Sequence, residues 1–83
     1  MTITEKSIDL EKAALLISDY TLAGSLEDKD TFLAIAGNYI RRLDDPKIEL
    51  IYSRVCEAPD EKEKELYTEI LIELLDSRKS DFN

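Results

Sequence analysis

Gly24, Gly37, Pro46 and Pro59 are all the glycine and proline in this chain, and that scarcity constrains its fold more than any other feature. Strand-rich and loop-rich folds need glycine and proline in number for their turns and bulges. Here apolar residues recur at spacings of three and four instead of alternating, which is the period of a helix with one apolar face. The chain reads as all-α, a compact four-helix bundle of short helices at about 8–22, 26–42, 46–57 and 59–77. It forms a single helical domain over 1–83, with short flexible ends at about 1–6 and 79–83. A hydrophobic content of 43% in 83 residues supplies one small core and no second one.

Three stretches separate the helices: "AGSLED" at 23–28, "LDDPK" at 43–47 and "EAPDE" at 57–61. Ser7 is the expected N-cap of the first helix, and Gly24 is the expected left-handed residue that closes it. Ser25, with Asp28 three residues on, is placed to cap the second helix. Asp45 before Pro46 has the form of an N-cap followed by proline at the first helical position, where a missing N–H costs nothing. Ala58 is pushed out of the helical region by Pro59, and Pro59 is then the expected start of the fourth helix.

The apolar stripes follow. The first helix shows a main row of Leu10, Ala14, Ile17 and Tyr20, and a second row of Ile8, Leu15 and Leu22 on nearly the opposite side. That second row suits a central helix touching two neighbours, or a partner or homodimer surface. Phe32, Leu33, Ala36, Ile40 and Leu43 mark the core face of the second helix, and Ile48, Ile51, Tyr52 and Val55 that of the third. In the fourth, Leu66, Tyr67, Ile70, Leu71 and Leu74 share one side with Leu75 at its edge, while Glu65, Glu69, Glu73 and Asp76 gather on another. Like charges four apart cost roughly 0.2–0.5 kcal/mol a pair, so this acidic ridge works slightly against the isolated helix. It is either a solvated face or a docking surface. Gly37, mid-helix at about 1 kcal/mol relative to alanine, marks close approach to a neighbouring backbone.

Composition excludes several chemistries. One cysteine, Cys56, permits no internal disulfide, and without histidine the chain has too few soft ligands for zinc. Eleven basic against nineteen acidic residues give a net charge of −8, which repels nucleic acid and anionic membrane over a Debye length. The first twenty residues hold no apolar run longer than "AALLI", far short of a span, so the expectation is a soluble, cytoplasmic protein with no membrane insertion. The acids of "EDKDTFLAIAG" lack the central glycine and terminal glutamate of a calcium loop. No nucleophile–base pair, phosphate-cradling loop or metal-ligand spacing is readable, so neither an enzyme nor a cofactor is expected.

Two segments resemble known families. "GSL" at 24–26, at the start of the second helix of a small acidic helical chain, resembles the "DSL" motif of acyl carrier proteins; the resemblance implies a phosphopantetheine arm on Ser25, although Gly24 replaces the aspartate and the long preceding loop is missing. "ISDYT" at 17–21 and "DPKIELIY" at 45–52 are similar to segments of colicin-type nuclease immunity proteins, small acidic four-helix inhibitors. That resemblance implies that Tyr52 and neighbouring acids contact the partner.

The chain thus offers surface and charge and no reaction chemistry. It is expected to bind a protein partner with a basic surface and to inhibit or regulate it, as a phage- or plasmid-type inhibitor, an immunity protein or a regulatory connector would. The alternatives are an acyl-carrier-like protein modified at Ser25 and an acidic mimic of nucleic acid. Candidate partner-binding residues fall into two groups: Tyr39, Asp44, Asp45, Glu49 and Tyr52 around "LDDPK", and the ridge Glu65, Glu69, Glu73 and Asp76. A homodimer would use Ile8, Leu15 and Leu22.

Overall fold

The computed structural model describes residues 5–81, which form helices α1 (Glu5–Leu22), α2 (Leu26–Leu43), α3 (Pro46–Glu57) and α4 (Glu61–Asp81). No strand occurs among the described residues. α1 lies along α2 and α3 along α4, and the two hairpins join chiefly where α1 meets α4, with α2 and α3 touching less. The all-α expectation holds, and each helix lies close to its expected place. The helices reach further than expected, with 5–6 in α1 and 79–81 in α4, and the remainder of the ends expected to be flexible, 1–4 and 82–83, lies outside the described residues.

Local signals account for most boundaries, with three corrections. Ser25 caps α2 by accepting from the Asp28 amide at 3.1 Å, and Asp45 caps α3 through the amides of Lys47 and Ile48, with Pro46 at the first turn. Ser7, however, lies inside α1 and not at its cap, since the described part of the helix already includes Glu5 and Lys6. Pro59 stays outside α4. Asp60 is the cap instead, accepting from the Glu63 amide at 2.8 Å, and a capping residue must itself stay out of helical geometry. Gly24 does not adopt the left-handed conformation; Asp44, at φ 53° and ψ 43°, does so at the end of α2. Aspartate tolerates that region better than most residues. α1 has no basic residue in its last turn, and Lys29 of α2 compensates by donating to the Tyr20 carbonyl at 3.4 Å while lying 5.1 Å from the Tyr20 ring centroid.

The core is drawn from every helix: Leu10, Ala13 and Ile17 of α1, Ala36 and Ile40 of α2, Ile48 and Val55 of α3, and Leu71 and Leu75 of α4 are almost fully buried. Two predicted stripes are displaced. In α4 the buried face centres on Thr68, Leu71 and Leu75, while Leu66 and Ile70 point outward. α4 must serve both α1 and α3, and the face that does so contains a threonine whose hydroxyl donates to the Lys64 carbonyl at 2.6 Å. Satisfied within its own helix, Thr68 is buried at little cost, but it hides the stripe from a reading based on apolar residues. α1 touches two neighbours, α2 and α4, as expected of a central helix, but its second row, Ile8, Leu15 and Leu22, stays exposed and is not the face that makes those contacts.

Candidate functional site

The five residues expected to form a patch around "LDDPK" are divided by the fold. Tyr52 turns inward from α3 to α2, where its hydroxyl donates to the Leu33 carbonyl at 2.7 Å and its ring covers Gly37. Gly37 therefore faces an aromatic side chain, not the neighbouring backbone that was expected. Burial, aided by the Cys56 thiol, pushes the Tyr52 phenol up to about 12. Tyr39 is half-buried under the Arg42 guanidinium, which stands 5.6 Å from the ring centroid. Arg42 also reaches the buried Asp9 of α1 at 3.6 Å. Asp44 is exposed and Glu49 half-buried.

Asp45 carries structural work on both oxygens. One caps α3, and the other accepts from Arg78 Nε of α4 at 2.7 Å, tying the α2–α3 corner to the far end of α4. Burial works to raise the Asp45 pKa, but the Arg78 guanidinium and the Ile48 and Lys47 amides outweigh it and hold the carboxyl below its ordinary value of 3.8. A depressed folded pKa means that this interaction stabilises fully above the unfolded pKa and is lost as pH falls through the folded one. Asp45→Asn keeps a capping oxygen and loses the ion pair; it is expected to cost about 1 kcal/mol at pH 7. The gap between wild type and variant should close below about pH 4, as checked by urea unfolding across pH.

The acidic ridge is laid out as expected. Glu65, Glu69, Glu73 and Asp76 are all exposed along α4, with Asp76 reaching Lys79 at 3.8 Å. What the sequence reading missed is what stands beside them. Leu66 is 55% and Ile70 38% exposed, so α4 presents two large apolar side chains bordered by Glu65, Glu69 and Glu73. Winding at about 100° per residue puts Leu66 opposite Leu75, on the solvent side. The signal in the sequence was the surplus of apolar residues in α4, more than one face can bury.

Between this ridge and α1 runs an open groove of about 240 Å³, lined by Tyr20 and Thr21 of α1, Lys29 of α2, and Glu61, Lys64, Glu65 and Glu69 of α4. Burial, with the Glu61 carboxylate adding to it, pushes the Tyr20 phenol up. The groove holds mixed charge in solvent. No three metal-capable side chains are grouped among the described residues, and no described helix is long and apolar enough to cross a membrane.

The segments that resemble known families have local roles. Ser25 is the cap of α2. "ISDYT" lies within α1 with Ile17 and Tyr20 in the core, and "DPKIELIY" opens α3 with Asp45 as cap and Tyr52 turned inward. Compared with known protein families, curated proteins and solved structures, the chain matches none.

Proposed function

We propose that this is a non-enzymatic binding protein that docks a basic protein partner on the outer face of α4 and thereby inhibits or regulates it. The observation that carries this reading is the exposure of Leu66 and Ile70 beside Glu65, Glu69 and Glu73. An apolar centre supplies affinity when it is desolvated, while the surrounding charge steers encounter and selects a cationic partner. A purely solvated acidic face has no use for two large apolar residues within it, and each costs solubility. An inhibitor of phage or plasmid type, an immunity protein or a regulatory connector would each fit such a surface. A cytoplasmic, reducing setting suits the exposed thiol of Cys56.

The test is capture from host lysate with wild type, with Leu66→Asp/Ile70→Asp and with Glu65→Lys/Glu69→Lys/Glu73→Lys. All three are expected to give the same helical circular dichroism, because the altered side chains lie outside the core. Both variants should lose at least about ten-fold of a protein that wild type captures, and raising salt should weaken that capture. A partner retained equally by both variants would remove α4 as the docking face.

A further inference from the structure

We propose that the outward row of α1 pairs with the same row of a second copy, antiparallel, about a two-fold axis passing at Leu15. Ile8, Leu15 and Leu22 are 43%, 59% and 80% exposed and lie on the side of α1 opposite Leu10 and Ile17, so neither α2 nor α4 covers them. Their spacing of seven keeps them on one line about 21 Å long.

The row is symmetric about its middle residue, which makes it complementary to itself under a two-fold rotation: Leu15 meets Leu15, and Ile8 meets Leu22. Its charged flanks are complementary in this direction. With two antiparallel helices each flank lies against the same flank of the other copy, so Lys12 of one copy comes beside Asp19 of the other, twice over. On the second flank Glu11 comes beside Ser18, whose hydroxyl can donate to it. A parallel pair would exchange the flanks, bringing Lys12 beside Glu11 and Asp19 beside Ser18, but it would align the two helix dipoles, which the antiparallel pair opposes. All four flanking residues are exposed. Leu15 also borders a shallow groove of about 310 Å³ shared with Ile72 of α4, which widens the contact beyond a single helix.

A contact of this length falls below the roughly 1,200–2,000 Å² of a stable interface, and each copy carries a net charge of −8. The dimer is therefore weak, populated at on the order of 0.1 mM and above. It is independent of the proposed docking face on α4, and either can fail without the other.

The experiment is sedimentation equilibrium from about 10 µM to 1 mM, together with thiol cross-linking in a Cys56→Ser background. The weight-average mass should rise from 9.5 kDa toward twice that value, and Leu15→Asp should hold it at the monomer. Lys12→Asp should weaken association about five-fold, and adding Asp19→Lys should restore it. Under mild oxidation Leu15→Cys should cross-link to itself, and a mixture of Ile8→Cys and Leu22→Cys should give the mixed dimer in preference to either self-dimer. A monomer at 1 mM would overturn the pairing. A dimer in which Ile8→Cys and Leu22→Cys each cross-link best to themselves, or in which the charge exchange fails to restore association, would overturn its direction.

Discussion

Replacing Leu71 by alanine is expected to destabilise the protein by about 3–4 kcal/mol, whereas the same change at Leu66 should cost less than about 0.5 kcal/mol. Both are leucines of α4, and an apolar stripe drawn through the sequence includes both. The difference comes from the orientation of the helix. Leu71 has no exposed surface and belongs to the shared core, so truncation removes buried methyl groups and leaves a cavity that neighbouring helices fill only in part. Leu66, more than half exposed, already pays most of its hydration cost in the folded state. In a domain of 83 residues, whose net stability is of the order of 5 kcal/mol, the Leu71 change leaves a marginal fold. Urea melts of the two variants check this, and equal losses would mean that α4 is turned differently about its axis.

Gly37→Ala should also destabilise, by about 1.5 kcal/mol, although helix propensity alone predicts a gain of about 1 kcal/mol. A Cβ built at Gly37 would lie 2.5 Å from the Tyr52 hydroxyl oxygen and 2.9 Å from Cζ of its ring. Something must move, and the ring is rigid and held by its bond to the Leu33 carbonyl. Shifting it loses that bond and loosens the aromatic contact that links α3 to α2, where the two helices touch least. Overpacking of this kind costs roughly 1–3 kcal/mol, and the lost hydrogen bond adds about 1 kcal/mol. The coupling is checkable. In a Tyr52→Leu background the obstruction is gone, so Gly37→Ala should become neutral or stabilising, and a double-mutant cycle should show the change of sign. An unchanged loss in both backgrounds would assign the glycine another role.

The fold was largely legible because its punctuation is chemical and local. Ser25 and Asp45 each serve as N-caps where a side-chain oxygen followed by helix-forming residues predicts one, and Pro46 stands at the first turn of α3. The misplaced details share one cause, competition among adequate local signals. At 59–60 both proline and aspartate can begin a helix, and the carboxylate cap at Asp60 prevails. Gly24 is free to turn left-handed, but Asp44 carries that geometry, set by the two-residue corner into α3.

The candidate surface was legible in its charge and not in its apolar part. Exposed carboxylates need no tertiary partner, so Glu65, Glu69, Glu73 and Asp76 are readable from spacing alone. Which of the seven apolar residues in α4 face inward depends on where α1 and α3 sit, and no periodicity within α4 contains that information. Thr68 makes the point: a polar residue at the centre of a buried face is predictable only after its hydroxyl is seen to bond the preceding turn. The tyrosines reverse the lesson. Tyr52 beside a cluster of acids resembles a recognition residue, yet its hydroxyl and ring are both taken by α2.

The claim on which the functional reading rests is that Leu66 stands in solvent in the free protein and is covered by the partner. Thiol labelling of a Cys56→Ser/Leu66→Cys variant measures this directly, first alone and then with the partner captured from lysate. The expected result is labelling of the free protein at close to the rate of an unfolded thiol, slowed at least about ten-fold by the partner. A thiol at 66 that is protected in the free protein, or one that labels equally fast with the partner bound, would contradict the account.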